Sequence, residues 1–138
     1  MPAKNRYHKQ VVRALEKDGW TITHDPFHLK WGVRDLFVDL GAERLLAAEK
    51  DEQRIAVEIQ SFLAESEVED LQHAMGQFVT YRKVLAKTHP DRVLYMAVRE
   101  ATFSNVFEDP LGQLFLEDHF VRLLVFDPDR EEVLRWIP

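Results

Sequence analysis

An α/β fold, a mixed β-sheet flanked by helices, is what this 138-residue sequence predicts, and three features predict it. The first half holds short β-prone runs separated by turn residues, residues 67 to 87 follow a long amphipathic helical pattern, and Arg92 to Val98 is one β-prone run. A strand without a polar face belongs at the centre of a sheet, where both sides are covered. Strands interleaved with helices then give layers of helix packed on a sheet.

Residues 3 to 18 are predicted as a helix because Tyr7, Val11, Ala14 and Leu15 recur at helical spacing and Asp18-Gly19 supplies a stop. Trp20 to Thr23 is predicted as a strand ended by Asp25-Pro26, and Phe27 to Trp31 leads into a turn at Gly32. Val33 to Leu40 is predicted as the next strand, with Val33, Asp35, Phe37 and Asp39 on one face, since side chains alternate. Arg44 to Glu49 and Arg54 to Phe62 are two further extended runs, joined by the polar segment Lys50-Asp51-Glu52-Gln53 of hairpin length. Between Glu67 and Lys87 the period changes to that of a helix, with Val68, Leu71, Met75, Phe78, Val79, Arg82 and Leu85 on one face. Its acidic first turn and basic last turn suit the helix dipole. His89-Pro90-Asp91 ends it. Residues 101 to 119 read as helical with a break at Asp109-Pro110, because proline tolerates only a first turn or an interruption. Leu123 to Phe126 and Val133 to Ile137 are the last strands, separated by Asp127-Pro128-Asp129.

The size, 16.2 kDa, is that of a single domain covering residues 1–138, and 46% hydrophobic content with 11% aromatics excludes a disordered chain. The absence of cysteine excludes a disulfide framework and a thiolate zinc site. Residues 1 to 13 are polar and basic, and no apolar run approaches the ~20 residues of a membrane span, so no membrane is expected and the cytoplasm is. The net charge of −6 argues against broad electrostatic adhesion to nucleic acid, though Lys4, Arg6, Lys9, Arg13 and Lys17 of the first helix form either a local basic rim or a solvated face.

Acidic side chains in two of the short β runs need a reason in a small core. Asp35 and Asp39 share one side of the first run, and Glu58 and Gln60 share one side of Ile55 to Gln60. If these strands are neighbours, the carboxylates converge, and converging carboxylates either hold a hard divalent cation such as Mg²⁺ or take up a proton.

An acid on one strand, a hairpin, and a second strand carrying Glu-x-Lys before a long helix resembles the restriction-endonuclease-like, PD-(D/E)xK, layout. Asp35 matches the first acid, Glu58 the second and Gln60 the lysine position. Over nearly the whole chain, Leu15-Glu16-Lys17-Asp18-Gly19-Trp20, Thr23-His24-Asp25-Pro26, Asp39-Leu40-Gly41-Ala42-Glu43, Ala47-Ala48-Glu49-Lys50, Ile55-Ala56-Val57-Glu58 and Gly76-Gln77-Phe78 resemble the XisH family, the fdxN-element excision controlling factors of heterocyst-forming cyanobacteria and relatives. The resemblance implies a restriction-endonuclease-like three-layer fold and a role in controlling removal of a DNA element during differentiation. It also implies a XisI-like companion protein.

A similarity to archaeal Holliday-junction resolvases implies that His8 stands where a first-helix glutamate completes the metal site. Asp35 and Glu58 would then be the metal ligands for Mg²⁺. Gln60 departs from the family's Glu-Val-Lys: a glutamine amide donates hydrogen bonds but brings no charge to a phosphate. Lys30 and Lys50 are the nearby cations in sequence. Gln77 and Tyr81, with His73, recur at i, i+4, i+8 along the border of the long helix, either as outer partners of the carboxylates or as ordinary border polarity. His24 and His28 are either a metal pair or turn residues.

Three readings follow. The first is a regulator of DNA-element excision with a partly intact site, the second an active Mg²⁺-dependent endonuclease. The third is a non-catalytic module acting through its companion, with DNA or a second copy of the chain as further partners. Phe103, Phe107, Phe115 and Phe120 serve a core or a partner surface.

Overall fold

The computed structural model describes residues 5–46 and 51–138. It is a mixed α/β fold in which helices cover both faces of a six-stranded sheet of order β1-β4-β5-β6-β7-β8. The strands are β1 (Thr21–His24), β4 (Leu40–Leu46), β5 (Asp51–Ile59), β6 (Arg92–Arg99), β7 (Leu123–Asp127) and β8 (Glu132–Ile137). The central trio β5, β6 and β7 is parallel, which demands crossovers, while the outer strands pair antiparallel. The crossover from β5 to β6 is the helix α2 (Glu67–Thr88). Two further strands, β2 (Phe27–Trp31) and β3 (Arg34–Val38), form a separate hairpin outside the sheet.

The alternation of side chains explains the layers. On β5, β6 and β7 the residues Ala56, Leu94, Met96, Val98, Leu123 and Val125 face one way, into a core shared with Leu71, Ala74, Met75, Phe78 and Leu85 of α2 and with Phe27, Leu29 and Val38 of the hairpin. Ile55, Val57, Ile59, Tyr95, Ala97, Leu124 and Phe126 face the other way, against Val11 and Leu15 of α1 (His8–Lys17) and against Trp20. The central strand β6 is buried on both sides from Leu94 to Val98, as its apolar run requires.

The long helix forms where its period placed it, capped by Ser66, whose hydroxyl accepts the Glu69 amide. Its buried stripe is rotated from the expected one. Ala74 is fully buried, whereas Val68 and Val79 are exposed, because the hairpin and α2 share a seam that a single-helix pattern does not encode. After β6 the chain forms a short helix α3 (Glu100–Thr102), a π-helical turn at Phe103–Phe107, and α4 (Pro110–Leu116) with Asp109 as its cap and Pro110 in its first turn. The break falls at Asp109-Pro110, as the proline dictates. Phe103 and Phe107 are core, and Phe120 is 41% exposed.

Gly112 lets α4 lie directly against the preceding turn. A β-carbon there would overlap the Val106 carbonyl oxygen and come within 2.6 Å of Phe107 Cα. These are backbone atoms and cannot swing aside, so Gly112→Ala is expected to destabilise the fold by about 3 kcal/mol, measured as a lower urea midpoint at unchanged slope.

Several expected boundaries differ. The first helix begins at His8 among the described residues, β4 begins at Leu40, not Arg44, and β5 spans Asp51–Ile59 rather than Arg54 to Phe62, so Asp51 to Gln53 belong to the strand and not to the loop, because they pair with the end of β4. The predicted strand end at Ala47 to Glu49 and the loop residue Lys50 lie outside the described residues, as does Lys4 of the basic rim. Among the described residues, no helix is long and apolar enough to cross a membrane.

Candidate paired-carboxylate site

The expected strand Val33 to Leu40 is broken at Asp39. Arg34–Val38 pairs with β2, and only from Leu40 does the chain enter the main sheet, opposite Val57 of β5. The break undoes the alternation that put Asp35 and Asp39 on one side. Asp35 stays on the outer face of the hairpin, about half exposed, with its Oδ1 2.7 Å from His28 Nε2. Asp39 sits at the point where β4 begins and β5 runs on without it. Its Oδ2 accepts the Ile59 amide at 2.8 Å, replacing a ladder bond that β4 no longer supplies.

That position brings Asp39, not Asp35, to Glu58. Glu58 shares the α2 face of β5 with Ala56 and is 93% buried, at 7% exposure. Its Oε2 is buried with no protein partner. Burial first, then the charge of Asp39 and a hydrogen bond between the two carboxyl groups, push the Glu58 pKa up to about 10. At neutral pH Glu58 therefore carries a proton. The Tyr81 hydroxyl feels the same surroundings: burial, Glu58 and Asp39 push it up to about 12.

Gln60 follows on the same face and its Nε2 donates to Gln77 Oε1 of α2 at 2.5 Å. Tyr81 thus lies near Glu58 and Asp39, while Gln77 bonds Gln60; both stand on the helix border. His73 lines the groove beside them.

His8 is not brought there. It is buried in α1 with its Nε2 2.8 Å from Asp25 Oδ1, although the ring N–H is not aimed at that oxygen. His24, at the end of β1, stacks on Phe27 at 4.4 Å between ring centres, and His28, on β2, stacks on Phe37 at 4.9 Å. Lys30 projects from the hairpin, opposite Asp35. Arg99, at the end of β6, is on the α1 face, over the Tyr7 ring and donating to the Ser61 carbonyl at 2.8 Å, so it brings no charge to the acids either. Among the described residues, no three His, Asp or Glu side chains cluster as a metal cage.

The residue that sequence reasoning undervalued is Asp39. The signal was present in Asp39-Leu40-Gly41: the glycine is required there, because a β-carbon at Gly41 would come within 2.6 Å of the Phe27 ring and 3.0 Å of His24 Nδ1. The hairpin therefore crosses β4 at close quarters immediately after Asp39, and that crossing turns the strand out of the sheet.

Fold and site together define a class: a mixed-sheet α/β protein with helices on both faces and an acid pair, Asp39 half-buried and Glu58 buried, at the C-terminal end of the parallel strand β5. Within that class the chain belongs to the XisH family, matching the family described as "XisH protein" over residues 1–134. An XisH family protein from Nostoc punctiforme PCC 73102 is similar in structure, with 36% identity and a TM-score of 0.86, covering 97% of this chain and all of that one. An fdxN element excision controlling factor protein from Anabaena variabilis is 38% identical with a TM-score of 0.85, covering 96% of this chain and 98% of its own. No curated protein matches the chain.

Proposed function

We propose that the chain is a controlling factor in the excision of a DNA element, built on a restriction-endonuclease-like scaffold that keeps a metal-binding acid pair and has lost the cation of the PD-(D/E)xK motif. Asp39 takes the place of the first acid, Glu58 the second, and Gln60 the lysine. The single observation that carries the reading is the convergence of Asp39 and Glu58 at a strand end, with Glu58 Oε2 buried and unpartnered. The name of the Anabaena variabilis relative supports the cellular role.

The donor set fits Mg²⁺. Two carboxylates are hard oxygen ligands, and Mg²⁺ is held by one or two of them with water and phosphate completing its shell. When bound, the ion would neutralise phosphate charge and acidify a coordinated water. Asp39 is fixed by the Ile59 amide and Glu58 by its burial. Gln60, tied to Gln77, offers an amide and no charge, which weakens stabilisation of a developing oxyanion and favours control over cutting.

The acid pair makes metal binding proton-linked. Because Glu58 is protonated at neutral pH, taking up Mg²⁺ must expel its proton. Calorimetric titration with MgCl₂ in two buffers of different ionisation enthalpy is expected to show about one proton released per ion at pH 7, with affinity rising about tenfold per pH unit below pH 10. Binding without proton release, or no binding in wild type at pH 8, would sink the reading.

A further inference from the structure

The β2–β3 hairpin stands apart from the main sheet, and its tip is both cationic and apolar. Pairing sets Trp31 opposite Arg34, Lys30 opposite Asp35 and Leu29 opposite Leu36. Directly opposed residues project from one face, so Trp31 and Arg34 continue the face of Leu29 and Leu36 that packs toward α2. Leu29 is buried and Leu36 half-buried, but the next pair has run past the packing: Trp31 is 52% exposed and Arg34 is exposed. Val33 in the turn is 91% exposed. Among the described residues, neither Lys30 nor Arg34 has an ion-pair partner.

Leu36 also walls an open groove of about 460 Å³ with His73, Gly76, Gln77, Thr80 and Tyr81. No carboxylate lines it. Its floor is open at Gly76, where an added β-carbon would meet nothing within 4 Å. Gln77 in this groove holds Gln60, two residues on from Glu58, so the groove runs from the hairpin toward the segment that carries the acid pair.

We infer that this surface holds an unpaired strand of DNA, with a base stacked on Trp31, a phosphate on Arg34, and the strand led along the α2 groove to the carboxylates. The inference rests on the acid-pair reading above. An exposed indole offers a flat face that any base can cover, and a base offers its own face only when it is unstacked from a duplex. Arg34 supplies the local positive charge on this face that an acidic protein needs to approach phosphate. The groove carries the hydrogen-bonding side chains of Gln72, Gln77, Thr80 and Tyr81 and no carboxylate that would repel a sugar-phosphate chain.

The test is fluorescence anisotropy with a fluorescein-labelled single-stranded oligothymidine in EDTA, with a duplex of equal length as competitor. Trp31→Ala and Arg34→Ala are each expected to weaken binding by about tenfold or more, and Trp31→Phe to retain it. Oligothymidine is also expected to quench tryptophan emission in wild type but not in Trp31→Phe, since Trp20 is buried and packs against Trp136. Unchanged binding in Trp31→Ala and Arg34→Ala, or no binding of oligothymidine by wild type, overturns the inference. Equal competition by duplex also overturns it. Because Mg²⁺ titration is a separate measurement at Asp39 and Glu58, a chain that binds the metal but not the strand loses this inference alone.

Discussion

Glu58→Gln is expected to raise the free energy of unfolding by about 3 kcal/mol at pH 7 while abolishing Mg²⁺ binding. The carboxyl group has an ordinary value of 4.5 in the unfolded chain and about 10 in the folded one. Between those values the folded state binds a proton that the unfolded state does not. Stability therefore falls as pH rises through the window, by roughly 1.4 kcal/mol per unit, and is fully present only below about pH 4.5 as far as this group is concerned. Glutamine copies the shape and donor capacity of the protonated acid and never ionises, so the variant lacks that decline. Urea denaturation from pH 5 to 9 checks it: the wild-type curve descends and the variant's stays flat by comparison. Parallel curves would mean that Glu58 is ionised in the fold. A site that costs stability when empty and gains a ligand when ionised is characteristic of residues kept for chemistry rather than packing.

Asp39→Ala is expected to weaken Mg²⁺ binding by on the order of 100-fold, whereas Asp35→Ala leaves it within about twofold. Asp39 faces Glu58, and Asp35 faces His28 on the exposed hairpin surface. Asp39→Asn separates the two roles of this side chain. Its amide oxygen still accepts the Ile59 amide, so stability stays near wild type, while Asp39→Ala also loses that bond at a cost of about 1–2 kcal/mol. Calorimetric titration with MgCl₂ alongside denaturation distinguishes them. An effect at Asp35 equal to that at Asp39 would show that the hairpin folds back over the site.

The two acids also show where sequence reasoning reaches its limit. Glu58 and Gln60 were legible because β5 is one uninterrupted strand, and within a strand the face of every residue follows from its parity. The border residues Gln77 and Tyr81 were legible for the same reason, along a continuous helix. Asp35 was mistaken for Asp39 because parity holds only while a strand is unbroken, and nothing local announces that Val38 ends one pairing and Leu40 begins another. The separate hairpin made by Phe27–Trp31 and Arg34–Val38 was likewise hidden, since only Phe27 to Trp31 lying opposite Val38 to Arg34 defines it.

The sequence by itself determined the long helix, the doubly buried strand from Arg92 to Val98, the proline break at Asp109-Pro110 and the strand position of Glu58, because each depends on chemistry within a few residues. Only the tertiary structure decided which acid meets Glu58, that His8 turns to Asp25, and that Trp31 and Arg34 stand clear of α2. Those outcomes depend on distances between segments far apart along the chain, and such distances are set when the hairpin packs on α2 and crosses β4 at Gly41.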